Sequence, residues 1–67
     1  MIYFNRFAIQ KLMNEKNLDA GTLARLAQLD VEYVADVLSG KIEKTVSFRP
    51  VGNIALALKA TAAKITV

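Results

Sequence analysis

Residues 18–40 read LDAGTLARLAQLDVEYVADVLSG, and this stretch decides the fold. Leu23 and Ala27 lie four residues apart and belong to one apolar stripe at helical spacing. Asp19 stands before the stripe, where its carboxylate can accept a hydrogen bond from the first free backbone N–H groups of a helix. We therefore predict a short helix of about two turns over 20–27.

A second helix is predicted after a short turn. Asp30 is again a capping residue, and the apolar positions from Val31 onward recur at helical spacing until Ser39 and Gly40 stop them. The pattern therefore indicates a helix over 31–39. Two short helices joined by a tight turn occupy the middle of the chain.

Helical patterns also flank this pair. Apolar residues at helical spacing predict a first helix over 5–16, and Pro50 is well placed in the first turn of a fourth. Thr61 caps a last short helix over 62–65. The segment 41–49 is polar and without a sustained period, which predicts a loop with at most a short extended piece.

The composition narrows the chemistry that this chain can perform. Its 67 residues make one domain, residues 1–67, with a limited core. The chain has no cysteine and no histidine, so disulfides, thiolate metal sites and a histidine general base are excluded. Ser39 and Ser47 therefore lack a histidine partner, and no glycine-rich phosphate loop is present. We predict a protein that is not an enzyme and that has no catalytic residue, cofactor or metal.

The N-terminal residues are not expected to form a targeting segment. Polar residues interrupt the apolar run that begins at Ile2, so neither a signal peptide nor a membrane span is predicted, and a cytoplasmic location is expected.

The charge is uneven along the chain. Residues 1–39 carry four cations against five carboxylates, a net charge of −1, whereas residues 40–67 carry five cations against one carboxylate, a net charge of +4. This basic second half is a mild indication of a polyanionic partner.

With its helices placed, the chain resembles the phage repressor and Cro family of helix-turn-helix proteins over roughly residues 5–66. The features that carry the resemblance are Leu23-Ala24 in the second helix, Val34 in the third, Gly40-Lys41 after it, Ile54-Ala55-Leu56-Ala57-Leu58 in the fourth, and Thr61 before the fifth. The resemblance implies an all-α, compact, five-helix domain like that of lambda repressor, with a helix-turn-helix formed by helices two and three. It also implies a sequence-specific regulator of transcription that binds double-stranded DNA as a homodimer, in a Cro-like or repressor-like setting of phage or prophage origin.

The resemblance assigns roles to two sets of side chains. The third helix enters the major groove in such proteins, so its outward residues would read bases. The implied base readers are Val31, Glu32, Tyr33 and Asp36, and the implied phosphate contacts are Thr22, Arg25, Ser39, Lys41, Lys44 and Arg49. Glu32 and Asp36 can equally be a solvated acidic face, and Lys44 and Arg49 a solvated basic loop. The alternative function is a protein-binding helix-turn-helix module, an antirepressor or assembly partner, whose acidic third helix meets a basic surface.

The sequence departs from the family pattern at several places. Gln28 stands where the turn commonly has glycine, and an apolar pair, Met13 and Leu38, replaces a frequent ion pair between helices one and three. We expect Leu23, Val34 and Leu58 to be buried where helices two, three and four meet, and Phe4, Phe7 and Phe48 to be core or dimer-contact residues. The dimer seam is expected at an exposed apolar tail, Ile65-Thr66-Val67, beside a charge-poor face on helices four and five.

Overall fold

The computed structural model describes residues 1–67, which form five helices and a two-stranded antiparallel sheet. The elements are β1 (Ile2–Tyr3), α1 (Arg6–Glu15), α2 (Ala20–Ala27), α3 (Val31–Ser39), β2 (Lys44–Thr45), α4 (Arg49–Ala57) and α5 (Ala62–Ile65). The predicted five-helix fold is confirmed, and the small sheet is added to it. None of these helices has the length and apolar character needed to cross a membrane.

The ends of α2 follow the local sequence. The Asp19 carboxylate accepts a hydrogen bond from the Thr22 backbone N–H at 2.7 Å, as predicted. Gln28 adopts the left-handed conformation with φ of 57° and ends α2, which is the conformation that a glycine commonly provides at this turn. The Asp30 and Thr61 caps are different, because neither side chain accepts a hydrogen bond from its helix. The predicted side-chain caps at these two residues are therefore wrong, although both residues have the extended backbone conformation of an N-cap.

The core lies where all five helices converge. The predicted burial of Leu23, Val34 and Leu58 is confirmed, since each is at most 1% exposed. Met13 is also buried and Leu38 packs against the same core, which agrees with an apolar contact in place of an ion pair. The remaining buried side chains are Phe4, Ile9, Ala24, Ala27, Val37, Val51, Ile54, Ala55 and Ile65.

The C-terminal residues are not an exposed tail, so that expectation is wrong. The Asn5 backbone N–H donates to the Ile65 carbonyl at 2.8 Å, and the Val67 N–H donates to the Tyr3 carbonyl at 2.9 Å. This pairing places Phe4 opposite Thr66 and turns the Ile65 side chain into the core. Only Val67 keeps the predicted exposure. The chain end thus lies along one side of β1, while β2 pairs with the other.

The three phenylalanines have different environments. Phe4 is buried, as expected for a core residue, but Phe7 is 74% exposed and Phe48 is also exposed. A core position is therefore wrong for Phe7 and Phe48. The Arg6 guanidinium lies 4.8 Å above the Phe7 ring, so that ring contacts a cation on one face.

Candidate nucleic-acid interface

The solvent-facing side of α3 is the centre of the candidate site. Val34 and Val37 anchor the helix in the core, and this fixes which residues point outward. We define the outer face of α3 as its exposed residues, which are Val31, Glu32, Ala35 and Ser39. Sequence reasoning missed Ala35, although it lies four residues after Val31 and four before Ser39 and therefore shares their face.

Asp36 and Tyr33 lie at the edge of this face rather than on it. Both are half-buried, unlike the exposed Glu32. The Tyr33 ring packs against the core and meets the Phe4 ring edge-on. Of the four predicted base readers, the structure therefore brings Val31 and Glu32 fully to the surface and leaves the other two only partly accessible.

A shallow groove with an acidic rim runs along the N-terminal half of α3. Its volume is about 470 Å³, and it is lined by Asp30, Val31, Glu32, Tyr33, Asp36 and Ile42. The three carboxylates in this set can only accept hydrogen bonds when they are ionised. The groove therefore favours partners that present hydrogen-bond donors or positive charge, and it disfavours phosphate.

The C-terminal end of α3 is held by several backbone interactions. The Ser39 hydroxyl donates to the Asp36 carbonyl at 3.2 Å, and the Ile42 backbone N–H donates to the same carbonyl at 3.1 Å. Gly40 has a φ of 89°, which favours glycine, and a Cβ there would lie 3.1 Å from the Arg6 guanidinium. Lys41 follows directly and is exposed, so its ammonium is free to reach beyond the end of the helix.

The other predicted phosphate contacts lie on two elements. Lys44 and Arg49 are exposed and share with Lys41 the connection from α3 to the start of α4. The Lys44 ammonium lies 5.7 Å above the Tyr3 ring, which places it beside β1. Arg25 is exposed but belongs to α2, apart from that connection.

Thr22, also on α2, is already engaged within the protein. Its backbone N–H donates to the Asp19 carboxylate at 2.7 Å, and this bond is the main cause that lowers the pKa of Asp19, with a smaller contribution from the nearby Arg25 charge. A phosphate that approached this end of α2 would meet a carboxylate. Thr22 is therefore less suited than Lys41 to contact a DNA phosphate.

Arg6 is a cation of the site that sequence reasoning missed. It lines a second cleft of about 440 Å³ between β1, the start of α1 and the end of α3, together with Tyr3, Phe7 and Gly40. No local pattern joins residue 6 to residue 40, so only the tertiary contact places it there.

The fold is similar to that of a solved structure. The high-resolution crystal structure of the restriction-modification controller protein C.AhdI from Aeromonas hydrophila matches with a TM-score of 0.77 and 30% sequence identity, over 88% of this chain and 86% of that one. The chain belongs to the repressor-like helix-turn-helix family. No protein-family model and no curated protein matches the sequence.

Membership of this family confirms the predicted resemblance to repressor-like helix-turn-helix proteins. In this family α2 and α3 are the motif, Gln28 stands in its turn, and the outer face of α3 is the surface that the motif presents. The match is to a controller protein, so a specific kinship with phage Cro proteins stays a prediction.

Proposed function

We propose that this chain is a sequence-specific DNA-binding regulator of transcription that places α3 in the major groove. The observation that carries the proposal is the outer face of α3, exposed on a helix whose opposite side is anchored in the core by Val34 and Val37. An α-helix presented in this way fits the width of the major groove. The likeness to a controller protein supports the same class of function.

The base-reading roles follow from the chemistry of the face. Glu32 and Asp36 can accept a hydrogen bond from a cytosine amino group, and Val31 can contact a thymine methyl. Tyr33 can hydrogen-bond a base edge or a phosphate at the rim of the groove. Ala35 joins the set as a small residue that lets the helix approach the bases closely.

Phosphate contacts are assigned to the cations that follow α3. Lys41, Lys44 and Arg49 lie in the half of the chain with a net charge of +4, and attraction of such cations to phosphates supplies affinity without sequence preference. Ser39, Arg25 and Thr22 are the remaining candidates. Because α3 itself carries no cation, these flanking residues must offset the repulsion between its carboxylates and DNA.

We further propose that the regulator is a homodimer, since a reader this small gains specificity from two half-sites about one helical turn apart. Phe48, Gly52 and Leu56 lie four residues apart and so share one side of α4, which we call the α4 ridge. Phe48 and Leu56 are exposed, and the Phe48 ring lies over Gly52, where a Cβ would come within 3.0 Å of it. The α4 ridge therefore replaces the C-terminal tail as the proposed seam. We propose that the regulator is a cytoplasmic repressor of prophage or plasmid origin, or a Cro-like protein.

Selection of bound sequences from random duplex DNA tests this function. We expect enrichment of a palindrome with half-sites about one helical turn apart. Ala35→Trp, which places a bulky ring on the outer face of α3, should abolish enrichment, whereas Gln10→Trp on α1 is a matched control that should retain it. No enrichment even at low salt would contradict the proposal.

The acidic groove supports a second candidate function, a protein-binding helix-turn-helix module. Asp30, Glu32 and Asp36 would then hold a basic partner surface rather than bases. Under this alternative, random DNA gives no enriched site, and a partner recovered with the parent protein is lost on Asp36→Asn.

A further inference from the structure

We infer that α3 distinguishes unmodified cytosine from cytosine methylated on its exocyclic amino nitrogen, so that this modification of the operator releases the protein. The inference rests on the proposed function and adds a form of regulation to it. Its basis is that Glu32, with Asp36 at the edge of the same face, places carboxylates, which accept hydrogen bonds and donate none, at the surface that would meet the bases.

The carboxylates restrict which base edge can be read. In the major groove the amino donors are cytosine N4 and adenine N6, but adenine presents its N7 acceptor beside the amino group. An amide side chain matches both adenine atoms, whereas a carboxylate would place a second acceptor against the N7 lone pair. No amide side chain occurs between Val31 and Ser39, so α3 favours cytosine.

The two amino hydrogens of cytosine occupy different positions in the duplex. One pairs with guanine, and the other points into the major groove, where a carboxylate can accept it. A methyl group on N4 that preserves the base pair must therefore replace the hydrogen in the groove. The carboxylate then loses its donor and faces a methyl group, which leaves a desolvated charge without a partner. Methylation at C5 keeps the amino hydrogen and puts a methyl group where thymine has one, a contact that the exposed Val31 side chain can make.

The structure also limits how α3 could avoid the methyl group. Glu32 and Asp36 are one helical turn apart, about 6 Å along the axis, so they can address different bases. Asp36 is half-buried, and its backbone carbonyl accepts hydrogen bonds from Ser39 and Ile42. With the helix anchored and no cation within α3 to compensate, the lost hydrogen bond should appear directly as lost affinity.

The test uses the operator obtained by selection, with each half-site cytosine replaced singly by N4-methylcytosine or, as the matched control, by 5-methylcytosine. We expect N4-methylcytosine at one or two positions to weaken binding at least about 10-fold, and 5-methylcytosine there to change it less than about threefold. Glu32→Ala or Asp36→Ala should remove the N4-methyl effect at its own position. Glu15→Ala, which removes an exposed carboxylate from α1, should leave the effect unchanged.

The outcomes separate this inference from the function on which it rests. An enriched operator that is indifferent to N4-methylation at every cytosine overturns the inference and leaves the DNA-binding function in place. A methylation effect that persists in both alanine variants overturns it too, because the carboxylates would then not be its cause. Failure to enrich any DNA sequence overturns the proposed function and the inference with it.

Discussion

The Phe4 and Tyr33 rings meet edge-on, with their centroids 6.5 Å apart and their planes at 78°. Phe4 is buried in the segment that pairs with Thr66, and Tyr33 lies on α3. This contact joins the two chain ends to the helix that we propose enters the groove. The orientation of α3 therefore depends on residues far from it in sequence.

Tyr33 should contribute both to stability and to binding, and two substitutions separate these contributions. Tyr33→Phe keeps the ring contact, so the melting temperature should stay within roughly one degree of the parent, while loss of the hydroxyl weakens operator binding about fivefold. Tyr33→Ala loses the ring and should lower the free energy of unfolding by about 1–3 kcal/mol. Thermal melts and fluorescence anisotropy measure the two effects. An alanine variant as stable as the parent would show that the ring contact is not needed.

Leu23 should be a large contributor to stability because it is fully buried on α2. Leu23→Ala leaves a cavity and should lower the free energy of unfolding by about 2–5 kcal/mol, which could unfold so small a domain. Leu26→Ala is the matched control on the same helix, since Leu26 is 53% exposed. Circular dichroism melts compare the two. A Leu23→Ala variant that melts with the parent would refute the core assignment.

Lys41 and Asp36 should give different binding signatures. Lys41→Ala should weaken binding to all duplexes alike and reduce the slope of log affinity against log salt by about one. Asp36→Asn should change the preferred base at one position of each half-site by roughly 1–3 kcal/mol and leave the slope nearly unchanged. Salt titrations on the operator and on its single-base variants measure both. An unchanged base preference in Asp36→Asn, with loss of a protein partner, would favour the protein-binding function.

The α4 ridge should be the dimer seam. Leu56 is 78% exposed, so Leu56→Lys should preserve the fold and shift the protein to a monomer that binds the operator weakly. Val67→Lys is the matched control for the tail, since Val67 is the exposed residue there and its change should leave the dimer intact. Sedimentation at high concentration measures both. A parent that is strictly monomeric would contradict the homodimer.

Acid should destabilise the fold partly through Asp19. The hydrogen bond from the Thr22 backbone N–H lowers the pKa of Asp19 in the folded state, so this stabilisation is complete above the unfolded value of about 3.9 and is lost as the pH falls through the folded pKa. Asp19→Asn keeps a capping acceptor but does not titrate, and it should lose less stability between neutral and acid pH than the parent. Denaturant unfolding across this range provides the measurement, and identical profiles for parent and Asp19→Asn would rule out the cap as the cause.

Much of the candidate site could be predicted from local sequence. The bounds of α2 and α3 match the predicted 20–27 and 31–39, because helical spacing and the residues at each end act within four positions. The same spacing predicted the burial of Leu23 and Val34. It did not separate the exposed Ala35 from the half-buried Asp36, since that difference depends on what lies beside α3.

The sequence by itself therefore determined the helices, the motif that two of them form and the apolar residues that anchor it. Tertiary structure alone decided that Ile65 is core, that Phe7 is exposed and that Arg6 lies against Gly40. The position of Ile65 follows from the pairing of the C-terminal residues with the segment around β1, about 60 positions earlier in the chain. Two-residue strands are too short to show an alternating pattern, and their hydrogen bonds form only after the helices have brought the distant segments together.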